Sequence, residues 1–287
     1  LGNSFKLLHT RPNNVTQTNK YRAQRAKTRE IVLHGIKRLA RSKPDVVAQK
    51  QADAIFTNLA KARTFYGFMS ADRMGQSYSF VDKPSNVSFE EILNLEASPG
   101  IQRALELLTI DERNRARREW YFTTRDFSNK ERQIAARVAQ KWGWYKPAIQ
   151  SLIEAKAWNE LDYRFPVAYQ DTFIHYARAA DIPVVWSLAI ARQESAFMPD
   201  AKSPASAYGI MQLMPATAKS MAKYTGSSYR NNRDLTKPEL NIKLGSHYLG
   251  KMLRRYNNNS ILATAAYNAG PGNVKRWINA DLRWMYG

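Results

Sequence analysis

At 287 residues the chain is long enough to bury a sizeable core and to form about two domains. Its 44% apolar content excludes a disordered chain, and no run approaches the roughly eighteen apolar residues that a membrane-spanning helix needs. The absence of cysteine excludes disulfides, thiolate metal sites and cysteine nucleophiles, and the four scattered histidines (His9, His34, His175, His247) predict neither a metal centre nor a cofactor.

The net charge of +20 is unevenly placed. Residues 1–50 carry 12 Lys and Arg against 2 Asp and Glu, residues 51–182 carry 18 against 17, and residues 183–287 carry 14 against 5. Two basic ends flank a neutral middle. Such a surface attracts polyanions, whether nucleic acid, anionic lipid or an acidic cell-wall polymer, and charge alone does not choose among them.

Helical patterning dominates. Residues 1–18 read as a polar, frayed segment, and a chain that begins at Leu1 reads as processed or truncated. A very basic helix is expected over 20–39, with Ile31, Leu33, Ile36 and Leu39 on its apolar side. One or two helices follow over 46–73, then a loop at 84–89. Short helices are expected at 90–95, 100–109, 111–123, 129–142 and 147–157, joined by short connections, as in a superhelical array of antiparallel pairs. Trp142, Trp144 and Tyr145 would suit a sugar-stacking platform, but aromatics at a helix break more often pack inward.

From Asp181 onward the sequence carries more chemistry. Asp181 is placed to cap a helix begun by Pro183. On that helix Trp186, Ile190 and Glu194 fall on one line, and Pro199 follows its end. A carboxylate late in a helix, beside large apolar groups, is disfavoured as an anion by desolvation and by the helix dipole. Both effects raise its pKa, which is what a general acid near neutral pH needs.

The run Ala189-Ile190-Ala191-Arg192-Gln193-Glu194-Ser195-Ala196-Phe197 resembles the catalytic motif of the soluble lytic transglycosylases. Residues Ser203 to Pro215 resemble that family's second motif, and Ala266-Tyr267-Asn268-Ala269-Gly270-Pro271-Gly272 its third. Between them, Asn241-Ile242, Gly245 and Tyr248-Leu249 are similar to a further family helix. A looser likeness upstream covers Thr64–Phe68, Ala71–Arg73 and Arg164–Tyr169. The resemblance implies an all-α chain in three parts: a basic helical segment at 1–50, a helical linker domain at 51–170 and a goose-type-lysozyme-like catalytic domain at 171–287.

The activity implied is that of a lytic exotransglycosylase, a lyase. It would cleave the β-1,4 bond between N-acetylmuramic acid and N-acetylglucosamine, leaving a 1,6-anhydromuramyl end. Ordinary glycosidases set two carboxylates across the bond. Here residues 183–287 offer only Glu194, Asp200, Asp234, Glu239 and Asp281, and Glu194 alone lies in a motif. Glu194 is therefore expected to act as acid and then base, helped by the substrate's N-acetyl group. Ser203, Met211, Gln212, Met214, Tyr267 and Asn268 are the expected substrate-binding residues, with core packing an even alternative for each methionine and a bond to Glu194 an alternative for Ser203.

The implied partners are peptidoglycan glycan strands, with cell-wall synthesis or division proteins and a peripheral outer-membrane association as further expectations. The implied compartment is the periplasm of a Gram-negative bacterium, and no nucleic acid is expected. Two departures stand out. Ser206 occupies a place where many relatives have Gly, and the chain ends at residues 281–287 where the family continues into a Tyr-bearing segment, so Tyr286 is given no role. The competing readings are a goose-type lysozyme that uses water, and a non-catalytic basic protein that binds peptidoglycan or nucleic acid.

Overall fold

The computed structural model describes the backbone of residues 46–286 and nearly all side chains up to Asn279. The basic helix expected over 20–39, most of the expected segment 1–50, and the side chains of Asp281 and Tyr286 lie outside the described residues. Every regular element described is helical, and the chain divides at Val81 and Asp82 into two compact units.

In the first unit α1 (Val46–Leu59) packs on α2 (Phe65–Met74). Thr64 starts α2 by accepting a hydrogen bond from the Gly67 N–H at 3.1 Å. The segment after α2 folds back, with Phe80 stacked on Phe68 and the Ser79 carbonyl held by Arg63.

The second unit opens with five helices: α3 (Phe89–Glu96), α4 (Pro99–Thr109), α5 (Arg113–Thr124), α6 (Asn129–Lys141) and α7 (Tyr145–Glu154). Their starts follow from local chemistry. Ser88 with Glu91, and Ser128 with Glu131, form reciprocal capping boxes, and Pro99 occupies the first turn of α4. The helices pack as pairs, α4 on α5 and α6 on α7, with α3 against α6. Trp120 meets Trp142 and Trp144 edge-to-face at 5.8 and 5.5 Å, while Tyr145 packs on Tyr169 and Phe197. These aromatics build core rather than a sugar platform.

After the short α8 (Leu161–Arg164) come α9 (Gln170–Ala179) and α10 (Val184–Ser195). A long loop leads to α11 (Pro215–Tyr224). A 3₁₀ turn (Asn232–Thr236) then precedes α12 (Pro238–Arg255), α13 (Ser260–Ala269) and α14 (Pro271–Tyr286). Phe173, Ala191, Phe197, Ile210, Met211, Ile242 and Leu249 form the buried centre around which these helices gather.

Asp181 does not cap α10. It takes the left-handed conformation (φ 57°) that closes α9, with the Ile182 N–H on the Ala177 carbonyl and its own N–H on that of Arg178. This is a Schellman ending with Asp in the position glycine usually fills. The residue before α10 is Pro183, and no side chain caps that helix.

Candidate active site

Glu194 lies in the last turn of α10, half-buried, just before a sharp change of direction. Ala196 and Phe197 are consecutive left-handed residues (φ 52° and 62°), each costing about 1–2 kcal/mol of backbone strain. Burial of Phe197 and the Ser195 side chain hold this turn. The Ser195 hydroxyl donates to the Ile210 carbonyl at 2.7 Å and accepts from the Met198 N–H at 3.0 Å. Two further contacts fix α10 itself: Trp186 Nε1 donates to Thr264 on α13, and Ser187 pairs with Ser246 on α12.

Burial pushes the Glu194 carboxyl above its ordinary range, and a hydrogen bond from the Asn268 side chain opposes this in part. The other described carboxylates of this region have different occupations. Asp200 meets the Arg117 guanidinium at 2.8 and 3.1 Å. Asp234 is held down at about 2 by the Arg230 backbone N–H and by Lys237. Glu239, exposed in the first turn of α12, accepts from the Tyr176 hydroxyl.

The loop 203–213 is built around Asn241, which is fully buried. Its Oδ1 accepts from the Met211 N–H at 2.7 Å, and its Nδ2 donates to the Tyr208 and Leu235 carbonyls, each at 3.0 Å. Gly209 crosses this hub with φ 77°, where a Cβ would stand 2.2 Å from the Leu235 oxygen and 2.4 Å from Asn241 Nδ2. Only glycine fits there. Gln212, also left-handed at φ 47°, uses its amide N–H groups on the Gly209 and Ala201 carbonyls. Its side-chain amide is thereby tied to the loop that presents it.

The third motif completes the site from α13. The Tyr267 hydroxyl donates to the Met211 carbonyl at 2.7 Å, and burial together with Glu194 and Tyr248 drives its pKa well upward. Gln212, Met214, Thr217, Tyr248, Tyr267 and Asn268 line a cavity of about 230 Å³. Of the residues expected from sequence, Gln212, Met214, Tyr267 and Asn268 therefore meet at one cavity, and Asn268 links it to Glu194.

Met211 and Ser203 are placed differently. The Met211 side chain is fully buried against Gly245, where an added Cβ would lie 2.4 Å from its sulfur. It packs the core, and only its backbone serves the site, because the loop needs an apolar plug over α12. The Ser203 hydroxyl accepts from the Ala207 N–H at 2.9 Å and closes the turn that contains Ser206. Ser206 itself has φ 63°, which explains why glycine suits this place. Ser206→Gly is expected to stabilise the chain by about 0.5–1 kcal/mol, strain relief being partly offset by a freer unfolded chain. A rise in the urea midpoint at unchanged slope checks this.

The sequence alone assigns no role to Ser195, Asn241 or the Trp186–Thr264 contact. A signal for Asn241 was present, since it is a polar residue on the same line of α12 as Gly245, Leu249 and Met252.

Two family domains are matched along the chain. Residues 94–161 match the soluble lytic murein transglycosylase L domain, and residues 171–283 match the transglycosylase SLT domain. The chain is 40% identical over 231 residues to a soluble lytic murein transglycosylase of Salmonella typhimurium, covering 79% of this chain and 35% of that protein. It is 38% identical over 233 residues to the Escherichia coli K12 protein of the same name, covering 80% and 36%.

Among solved structures, the 70-kDa soluble lytic transglycosylase of Escherichia coli superposes with a TM-score of 0.74 at 33% identity, over 93% of this chain and 41% of that one. An inactive mutant of lytic transglycosylase Slt from Pseudomonas aeruginosa gives 0.73 at 36% identity, with the same coverage of 93% and 41%. The chain thus spans little more than a third of the length of these curated relatives. With two family domains matched in order and an all-α fold shared with the solved relatives, the chain belongs to the soluble lytic transglycosylase family.

Proposed function

We propose that this chain cleaves the β-1,4 bond between N-acetylmuramic acid and N-acetylglucosamine in periplasmic peptidoglycan, leaving a 1,6-anhydromuramyl end. The observation that carries the reading is Glu194. It is half-buried at a helix end, raised in pKa, and joined through Asn268 to the cavity of Gln212, Tyr248 and Tyr267. The neighbouring described carboxylates are engaged elsewhere.

The chemistry balances around that one group. Protonated Glu194 gives its proton to the glycosidic oxygen as the C1–O bond breaks, and the muramyl acetamido oxygen closes on C1. The carboxylate then takes the proton of the C6 hydroxyl, whose oxygen bonds to C1 and displaces the acetamido oxygen. Glu194 ends protonated and ready for another cycle, and no water is consumed. Gln212, fixed by its loop, positions the acetamido group, and Asn268 orients the carboxylate. Met214, 44% exposed, offers an apolar wall.

Digestion of purified murein followed by chromatography of the soluble products tests the proposal. Anhydro-ended muropeptides are expected. Reducing-ended products would indicate a lysozyme, and no release at all would indicate a binding protein.

A further inference from the structure

We infer that Arg117 is a positioning residue for Glu194, holding from the helical domain the strand of chain that leaves the catalytic helix. The inference rests on the functional reading above. Arg117 lies on α5, within the segment matched by the L domain, whereas Glu194 lies within the SLT segment.

Arg117 reaches across with both Nη atoms. They meet the two carboxylate oxygens of Asp200 at 3.1 and 2.8 Å, and Nη1 also stands 3.6 Å from the Met198 sulfur. Nη2 donates to Asn114 Oδ1 at 2.6 Å, which orients the guanidinium on its own helix. The side chains of Arg117 and Asp200 are only 25% and 24% exposed. A two-pronged, partly buried pair fixes direction in a way that a single exposed contact does not.

What it holds is the turn after Glu194. Ala196 and Phe197 are adjacent left-handed residues, and such backbone persists only where its surroundings hold it on more than one side. On the upstream side, Ser195 is bonded to Ile210, and Phe197 packs between Tyr145 and Phe173 with ring centroids at 5.9 and 6.3 Å. On the downstream side the Ala201 carbonyl accepts from the Gly209 N–H and from Gln212, and the Arg117–Asp200 pair adds the hold from the helical domain. Asp200, the acid that next follows Glu194 in the chain, serves as Arg117's partner.

The walls of the cavity have holds of their own in Asn241 and the Tyr267–Met211 bond, while Gln212 also bonds the Ala201 carbonyl beside Asp200. Loosening the turn should therefore move the acid more than the substrate's seat. A displacement of about 1 Å at a reacting group costs on the order of a hundredfold in rate, so even a partial shift should be visible in kcat.

The test uses the full chain acting on soluble, uncross-linked glycan strands. Arg117→Gln and Asp200→Asn are each expected to lower kcat by about tenfold or more with KM within about twofold. The alkaline limb of kcat should move to lower pH, as water reaches a less confined Glu194. Arg117→Lys, which keeps charge without the two-pronged contact, should fall between wild type and Arg117→Gln. If Arg117→Gln does not fold, Asp200→Asn carries the test.

The inference is overturned if either folded variant keeps kcat within about twofold of wild type. It is equally overturned if the loss of kcat matches the unfolded fraction in a thermal melt and the pH limb stays in place. A wild-type chain that releases no anhydro product would instead defeat the functional reading itself.

Discussion

Glu194→Gln is expected to abolish nearly all release of anhydromuropeptide while leaving binding to sacculi intact. Glutamine keeps the volume and a hydrogen-bonding head but neither gives nor takes the proton. Loss of a general acid–base costs about two to four orders of magnitude, and more where one group serves both steps. The same substitution should stabilise the fold at neutral pH. Burial raises the Glu194 pKa in the folded state above the ordinary 4.5, so the folded state holds its proton more tightly than the unfolded chain does. Stability therefore falls as pH rises from about that value through the folded pKa, and the deficit remains above it. Glutamine removes the deficit, so the variant's thermal midpoint should exceed wild type at neutral pH and converge with it in acid. A variant that keeps a substantial fraction of wild-type release would reject Glu194 as the catalytic acid.

Asn241→Ala should be the most damaging single change that touches neither Glu194 nor the cavity wall. It strands the Met211 N–H and the Leu235 carbonyl in the interior, and it takes one of two donors from the Tyr208 carbonyl, which keeps the Leu213 N–H. Buried groups left without partners cost about 1–3 kcal/mol each, so a loss of about 3–5 kcal/mol is expected. Because the same hub shapes the loop carrying Gln212, KM should rise as well. Asn241→Asp keeps the acceptor for Met211 but gives up both donations, and should lie between wild type and Asn241→Ala. Urea unfolding measures the first effect and steady-state kinetics the second. A loss below about 1 kcal/mol would show that solvent enters the loop and satisfies those groups.

The helical architecture was legible because its signals are local. Capping boxes at Ser88 and Ser128, prolines at Pro99, Pro215 and Pro238, and the spacing of apolar residues all act within a few positions of themselves. The motif proposed to be catalytic stands out in the sequence because its residues are contiguous around Glu194. Contacts between distant segments were not. Nothing near Met211 says that its side chain faces Gly245 while its carbonyl accepts the Tyr267 hydrogen bond. Ser203 and Met211 lie in the same motif as Gln212, yet the turn directs them to its own closure and to the core. Asp181 misled for a related reason: Asp suits a helix start, but it also tolerates the left-handed backbone that ended the helix before it. Asp200 was visible as an acid, while its partner Arg117 lies 83 positions away.

Anhydro-bond formation differs from hydrolysis in that no water enters the products. Murein should be digested by the wild-type chain in water enriched in oxygen-18, and the muramyl ends weighed by mass spectrometry. Ends lighter than a hydrolysed end by one water, with no heavy oxygen taken up, are expected, because the C6 hydroxyl supplies the attacking atom. Muramyl reducing ends carrying oxygen-18 at C1 would contradict the proposed function and make the enzyme a hydrolase working from the same cleft.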